Sequence, residues 1–242
     1  MYRQLDSRQI TATAHRLAER IGERFPGSGL SHVSQEVCAM SEGSEQRAAL
    51  LRRSNWGIRA GVTAGLLLIL GVAVSTVFLS IRPLTLASSV ADFFQGLDAA
   101  INDVVFLGLG VFFLVTLESR LKRRVALRGL DELRSVAHII DMHQLTKDPE
   151  HVMGAVTTTP SSPARTMTRG DLARYLDYCS ELLSITSKLA AIHVQSLNDP
   201  VVLESANGIQ ALTVGLSSKI WQKIMILDAI AAPREPLRQS DR

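Results

Sequence analysis

From Ala60 to Ile81 the chain reads AGVTAGLLLILGVAVSTVFLSI, 22 consecutive residues without a charge. At about 1.5 Å per residue a helix of that length reaches about 33 Å, enough to cross a hydrocarbon core of about 30 Å. A helix on the surface of a water-borne domain is apolar on one face only, and this run is apolar on all of them. It predicts a membrane span.

A second run, VVFLGLGVFFLVTL from Val104 to Leu117, has 14 uncharged residues. Alone it would reach only about 21 Å. Extended back through Leu97, Ala99, Ala100 and Ile101 it becomes a span, with Asp103 near one interface and Glu118 and Arg120 at the other. Basic residues orient the pair. Arg47, Arg52, Arg53 and Arg59 precede the first run, and Arg120, Lys122, Arg123, Arg124 and Arg128 follow the second. Between the runs Arg82 is the one basic residue, against Asp92 and Asp98. An excess of Lys and Arg marks the cytoplasmic side, so both termini are expected in the cytoplasm of a multi-pass protein of the cell inner membrane. The collar of Arg52, Arg53, Arg59, Arg120, Lys122, Arg123 and Arg124 would then face anionic headgroups, each charge contributing about 1 kcal/mol.

Gly57, Gly61 and Gly65 recur every fourth residue, a spacing that lets helix backbones approach closely. They could seat the second span through Gly108 and Gly110, or meet another protomer. Asp103 and Glu118 could line a polar pathway, but their position at the membrane edges favours plain interfacial solvation.

The flanking arms read as helices. Ile10, Thr13, Ala14, Leu17, Ile21 and Phe25 follow a helical period, PGSG stops it, and Leu30, Val33, Val37 and Met40 resume it. After the membrane, Leu127, Leu130, Leu133, Ala137 and Ile140, widened by Val136 and Ile139, form one stripe that ends before Pro149. The stretch 154–168 is rich in Thr, Ser and Pro without apolar period, and reads as a flexible linker. Thr168 with Asp171 resembles a capping box, and Asp199 followed by Pro200 is a helix start. Two long amphipathic helices joined by a short turn make an antiparallel hairpin.

The expected architecture is all-α. Residues 1–55 form an N-terminal arm, and 56–120 a transmembrane hairpin with spans near 59–81 and 98–119 and an external connection 82–97. Residues 121–153 form a membrane-exit helix, 154–168 the linker, 169–232 the C-terminal hairpin and 233–242 a disordered tail. Both arms would contribute to one cytoplasmic bundle.

The stretch AHIIDMHQLTKDPEH, 137–151, concentrates three histidines with acids and a lysine. His138 and Asp141 lie on neighbouring faces of a helix, but His143 is about 140° from His138. Metal-binding histidine pairs on helices are spaced i, i+4, and none exists here. His138, Asp141 and His143 remain candidates for a catalytic set, set against a plain polar helix end. No phosphate-cradling loop, dinucleotide fingerprint or nucleophile elbow occurs, so no cofactor or metal is expected. Basic residues are not interleaved with stacking aromatics, and aromatics are only 5% of the chain, which argues against nucleic acid. Cys38 and Cys179 lack CxxC spacing and read as buried thiols.

In layout the pair AGVTAGLLLILGVAVSTVFLSI and VVFLGLGVFFLVTL, with its helical cytoplasmic extension, resembles the SLATT class of bacterial two-span effector domains. The resemblance implies assembly into membrane-perturbing pores when an attached or partner sensor detects a signal. It covers about a third of the chain and transfers no functional residue. Three functions follow from these readings. The first is a membrane-anchored interaction or signalling module with a protein partner or a second copy of itself. The others are an oligomeric pore or channel-like effector, and a membrane-tethered metal-dependent enzyme built on His138, Asp141 and His143.

Overall fold

The computed structural model describes residues 5–52, 90–149 and 167–229, with Pro160 and part of the stretch 57–75; within some helical stretches it describes the backbone alone. Among the described residues there is no strand, and the chain is all-α. Helices with described bounds are α1 (Ser7–Arg24), α2 (Gly29–Arg52), α3 (Val90–Leu145), α4 (Arg169–Ser196) and α5 (Pro200–Ala229). The chain divides into two compact units, one of Met1–Arg52 with Val125–Arg242, the other of Arg53–Arg124.

In the first unit each helix starts and stops for local reasons. Asp6 caps α1 by accepting from the Arg8 N–H at 3.0 Å. Ile10, Ala14, Leu17 and Ile21 then fall on one buried face. The helix closes with the Phe25 N–H on the Ile21 carbonyl, and Gly27 turns the chain with a φ of 66°, a conformation that favours glycine. In α2, Leu30, Val33, Val37 and Cys38 are buried, joined by Ser31, Ser34, Ser41 and Ser44. That buried side is wider than the apolar stripe because serines can hide their hydroxyls on their own helix. Ser34 donates to the Ser31 carbonyl and Ser41 to the Cys38 carbonyl, each at 2.7 Å.

The expected caps of the C-terminal hairpin are present. The Thr168 hydroxyl accepts from the Asp171 N–H at 3.2 Å and donates to the Asp171 carboxylate at 2.7 Å. Asp199 Oδ1 accepts from the N–H groups of Val201 and Val202, with Pro200 in the first turn where a missing N–H does no harm. The Thr168 hydroxyl, and after it Arg24, holds the Asp171 carboxyl below its usual range.

Helix α4 is the hub. It packs against α1, α2 and α5 and buries side chains from Leu172 to His193 on most of its circumference. It runs antiparallel to α1: Leu5 N–H meets Gln195, Arg20 pairs with Glu181 at 2.6 Å, and Arg24 with Asp171 at 3.1 Å. Phe25 stands edge-on to Tyr175 and Tyr178, with ring centres 5.4 and 6.2 Å away. From Val125 onward α3 adds Ala126, Leu130, Leu133, Val136, Ala137 and Ile140 to the same core. Each fully shielded leucine contributes about 1.5–3 kcal/mol of transfer free energy.

Helix α3 differs from the expected division in one respect. It begins at Val90, inside the stretch 82–97 read as an external connection, and continues unbroken into the stretch read as the exit helix. The segment Val90–Gln95, VADFFQ, already carries apolar residues at helical spacing and has no proline to stop it.

Candidate functional site

The histidine-rich stretch occupies the end of α3, and its side chains diverge. His138 is exposed. Asp141 accepts from the Gln144 amide at 2.6 Å. The His143 ring lies against Gly29 of α2, so closely that a Cβ on Gly29 would collide with it. The three candidates do not converge on a common point, and among the described residues no group of three His, Cys, Asp or Glu is placed to hold a metal ion.

What the stretch does is end a helix. Lys223 of α5 donates to the Gln144 carbonyl at 2.9 Å, which also accepts from the Lys147 N–H at 3.1 Å, and to the Lys147 carbonyl at 3.3 Å just beyond α3. A cation at a helix C-terminus is also favoured by the helix dipole. Burial lowers the Lys223 pKa, partly offset by Asp148 and Asp141. Lys147 sits 5.2 Å over the Tyr175 ring. Sequence reasoning did not find Lys223, which belongs to no motif and lies 79 residues from its partner Gln144.

A second polar junction was also missed. His193 of α4 is 2% exposed, and its Nδ1 is 3.0 Å from the Leu189 carbonyl. Its Nε2 is buried and has no hydrogen-bond partner. Over the bare Cα of Gly129 in α3 it meets Arg47 of α2, which pairs with Glu132 at 2.7 Å. Burial, the largest cause, and Arg47 lower the His193 pKa, against the opposing pull of the Leu189 carbonyl and Glu132. The legible signal was Gly129 itself. A glycine inside a strong helix costs about 1 kcal/mol and calls for a packing reason.

The thiols are inert. Cys179 is fully buried and its pKa is pushed up to about 12, while burial, Glu42 and Glu19 raise that of Cys38. Two clefts flanking α4, of about 460 and 470 Å³, share Ser184 and Lys188. Neither is lined by a histidine or a cysteine; in both, the Lys188 amine donates to the Ser184 hydroxyl at 2.6 Å and to the Ser184 carbonyl at 3.4 Å.

In the second unit most of the described large apolar side chains point outward. Leu67, Leu68, Leu70 and Val74 are 55–71% exposed; Ile101, Val104, Val105, Phe106, Leu109, Phe112 and Phe113 are 53–72% exposed. Hydroxyls in the same stretches turn inward. Thr63, Ser75, Thr116 and Ser119 each donate to a carbonyl three or four residues earlier on their own helix, at 2.8–2.9 Å. Among the described residues, a Cβ on Gly57, Gly61 or Gly108 would meet nothing within 4 Å; Gly65 and Gly110 are half-buried.

Of the basic collar, Arg120 and Arg124 are exposed and Lys122 and Arg123 half-buried. Arg53, Arg59 and the side chains of Arg52, Asp103 and Glu118 lie outside the described residues, as does much of the run from Ala60 to Ile81. Among the described residues no helix is long and apolar enough to cross a membrane.

Comparison of the chain with protein-family models, with characterised proteins and with solved structures finds no match in any of the three.

Proposed function

We propose that the chain is a two-span integral protein of the inner membrane whose cytoplasmic helical bundle serves as an interaction or signalling module. The observation that carries this reading is the outward display of eleven large apolar side chains between Leu67 and Phe113, each more than half exposed. Water-borne proteins rarely expose apolar patches beyond a few hundred Å². The back-bonded hydroxyls support the same reading, since a polar group facing hydrocarbon must be satisfied by its own helix. Orientation rests on the arginine collars at both ends of the runs. The anionic inner leaflet and a protein partner are the interactions such a module would make.

Single cysteines at Ser89, in the connection, and at Ser240, near the C-terminus, test the reading in intact cells and in inverted vesicles. Position 89 should react with an impermeant maleimide only in cells, and position 240 only in inverted vesicles. Release of the protein by alkaline carbonate, or equal labelling at both positions, would overturn the topology.

A second reading, an oligomeric pore, draws on the open space beside Gly57, Gly61 and Gly108, where another copy could approach. Its check is the oligomeric mass in a lipid nanodisc. A monomer or dimer brings at most four spans, too few to enclose a wide pore.

A further inference from the structure

We propose that the meeting point of α2, α3 and α4 is an acid-sensitive latch, closed while His193 is neutral and opened when its imidazole takes a second proton. The inference concerns the helical bundle alone and does not rest on the membrane reading.

The resting tautomer follows from the geometry. The Leu189 carbonyl can only accept, so His193 Nδ1 carries the hydrogen across their 3.0 Å contact. Nε2 is therefore left with a bare lone pair, buried and without a donor. An unused acceptor in a shielded place can take a proton only by bringing a charge into surroundings that do not solvate it.

The charged groups facing the ring are Arg47 from α2 and Glu132 from α3; α4 contributes the Leu189 carbonyl. A Cβ on Gly129 would lie 2.5 Å from His193 Nε2 and 2.7 Å from Arg47 Nη1, so those two nitrogens are no farther apart than the two distances together. The nearby carboxylate, Glu132, is already held by Arg47 at 2.7 Å. A proton on Nε2 would thus place a second cation near the guanidinium, on a ring that is itself buried. The charged ring must leave toward solvent, or Arg47 must let go of Glu132; either event separates helices that now meet over Gly129.

The sign follows from burial. His193 is held below the ordinary histidine value of 6.5. The contribution of the closed junction is complete above that pH and is lost as pH falls from there toward the lower, closed-state pKa. Within that window each pH unit multiplies the opening equilibrium by up to about tenfold.

Hydrogen exchange of the full chain, corrected for the intrinsic pH dependence of exchange, reads the opening. From pH 7.5 to 5.5, protection over 126–135 and 189–197 should fall at least fivefold, while protection over 10–21 stays constant. His193→Gln should abolish the step. Arg47→Gln, at a partly exposed position, removes the opposing cation without opening the core and should shrink the step, with burial of the ring sustaining what remains. It decides the matter if His193→Gln fails to fold. A wild-type bundle without the step, or the same step in either folded variant, would overturn the latch.

Discussion

In α4, Leu176, Leu183 and Leu189 are completely shielded, whereas in α3 Val104, Phe106, Leu109 and Phe112 are each at least 60% exposed. The side chains are of the same chemical kind, and both segments are helical. What differs is the pattern around them. In α4 the apolar positions alternate with Arg174, Asp177, Glu181 and Lys188, which supply a face for water. Between Val104 and Leu117 no charge interrupts the run, so no rotation of the helix could hide its apolar residues behind polar ones. A stripe selects another helix as its neighbour. A band without a stripe selects a solvent.

The comparison can be tested by paired substitutions, one in each region. The largest contrast is expected between Leu183→Ala and Leu109→Ala. The first removes a fully buried side chain and should lower unfolding stability by about 3 kcal/mol. The second removes an exposed one and should change it by less than about 0.5 kcal/mol. Equal losses in chemical denaturation would show that Leu109 packs against protein after all.

A smaller contrast, but one of opposite sign, is expected at two glycines. Replacing a helical glycine by alanine gains about 1 kcal/mol when space allows, and Gly108 has that space. At Gly129 the new methyl would press on His193 and Arg47. Overpacking of that kind costs about 1–3 kcal/mol, which leaves a net loss of up to about 2 kcal/mol. Thermal unfolding of the two variants should therefore move in opposite directions, and a shared direction would break the contrast.

The least contrast is expected at polar residues. Asp199→Ala removes a cap that two backbone N–H groups share and should cost about 1 kcal/mol. Thr116→Ala removes a hydroxyl bonded only to its own helix and should stay within about 0.5 kcal/mol. Calorimetry on both variants would sharpen the difference between helices that need local signals and those that do not.

Much of the bundle could be read in advance because its information is local. The stripe of α1, the Thr168–Asp171 cap and the Asp199–Pro200 start are patterns within a few residues, and each appears in the structure. Residues whose role depends on distant partners stayed hidden. Lys223 reads as one more surface lysine until α5 carries it to the end of α3. His193 lies at the polar end of α4 by sequence, and only the approach of Gly129 and Arg47 seals it from water. The width of the buried side of α2 was likewise hidden, since a serine looks polar until its hydroxyl folds back onto the helix. The histidine-rich stretch, read chiefly as a polar helix end, is a cluster along the chain whose side chains diverge in space.

The condition of the two thiols has a practical consequence. With a pKa of about 12, Cys179 is ionised in about one molecule in 100,000 at neutral pH, and burial with Glu42 and Glu19 also raises the Cys38 pKa. Maleimides and spin labels react through the ionised sulfur, so the native chain offers them a nearly silent background. A cysteine placed anywhere on the surface would report alone, without the usual removal of the natural ones. Distances, accessibilities and motions could then be recorded on a protein whose core remains as it was made.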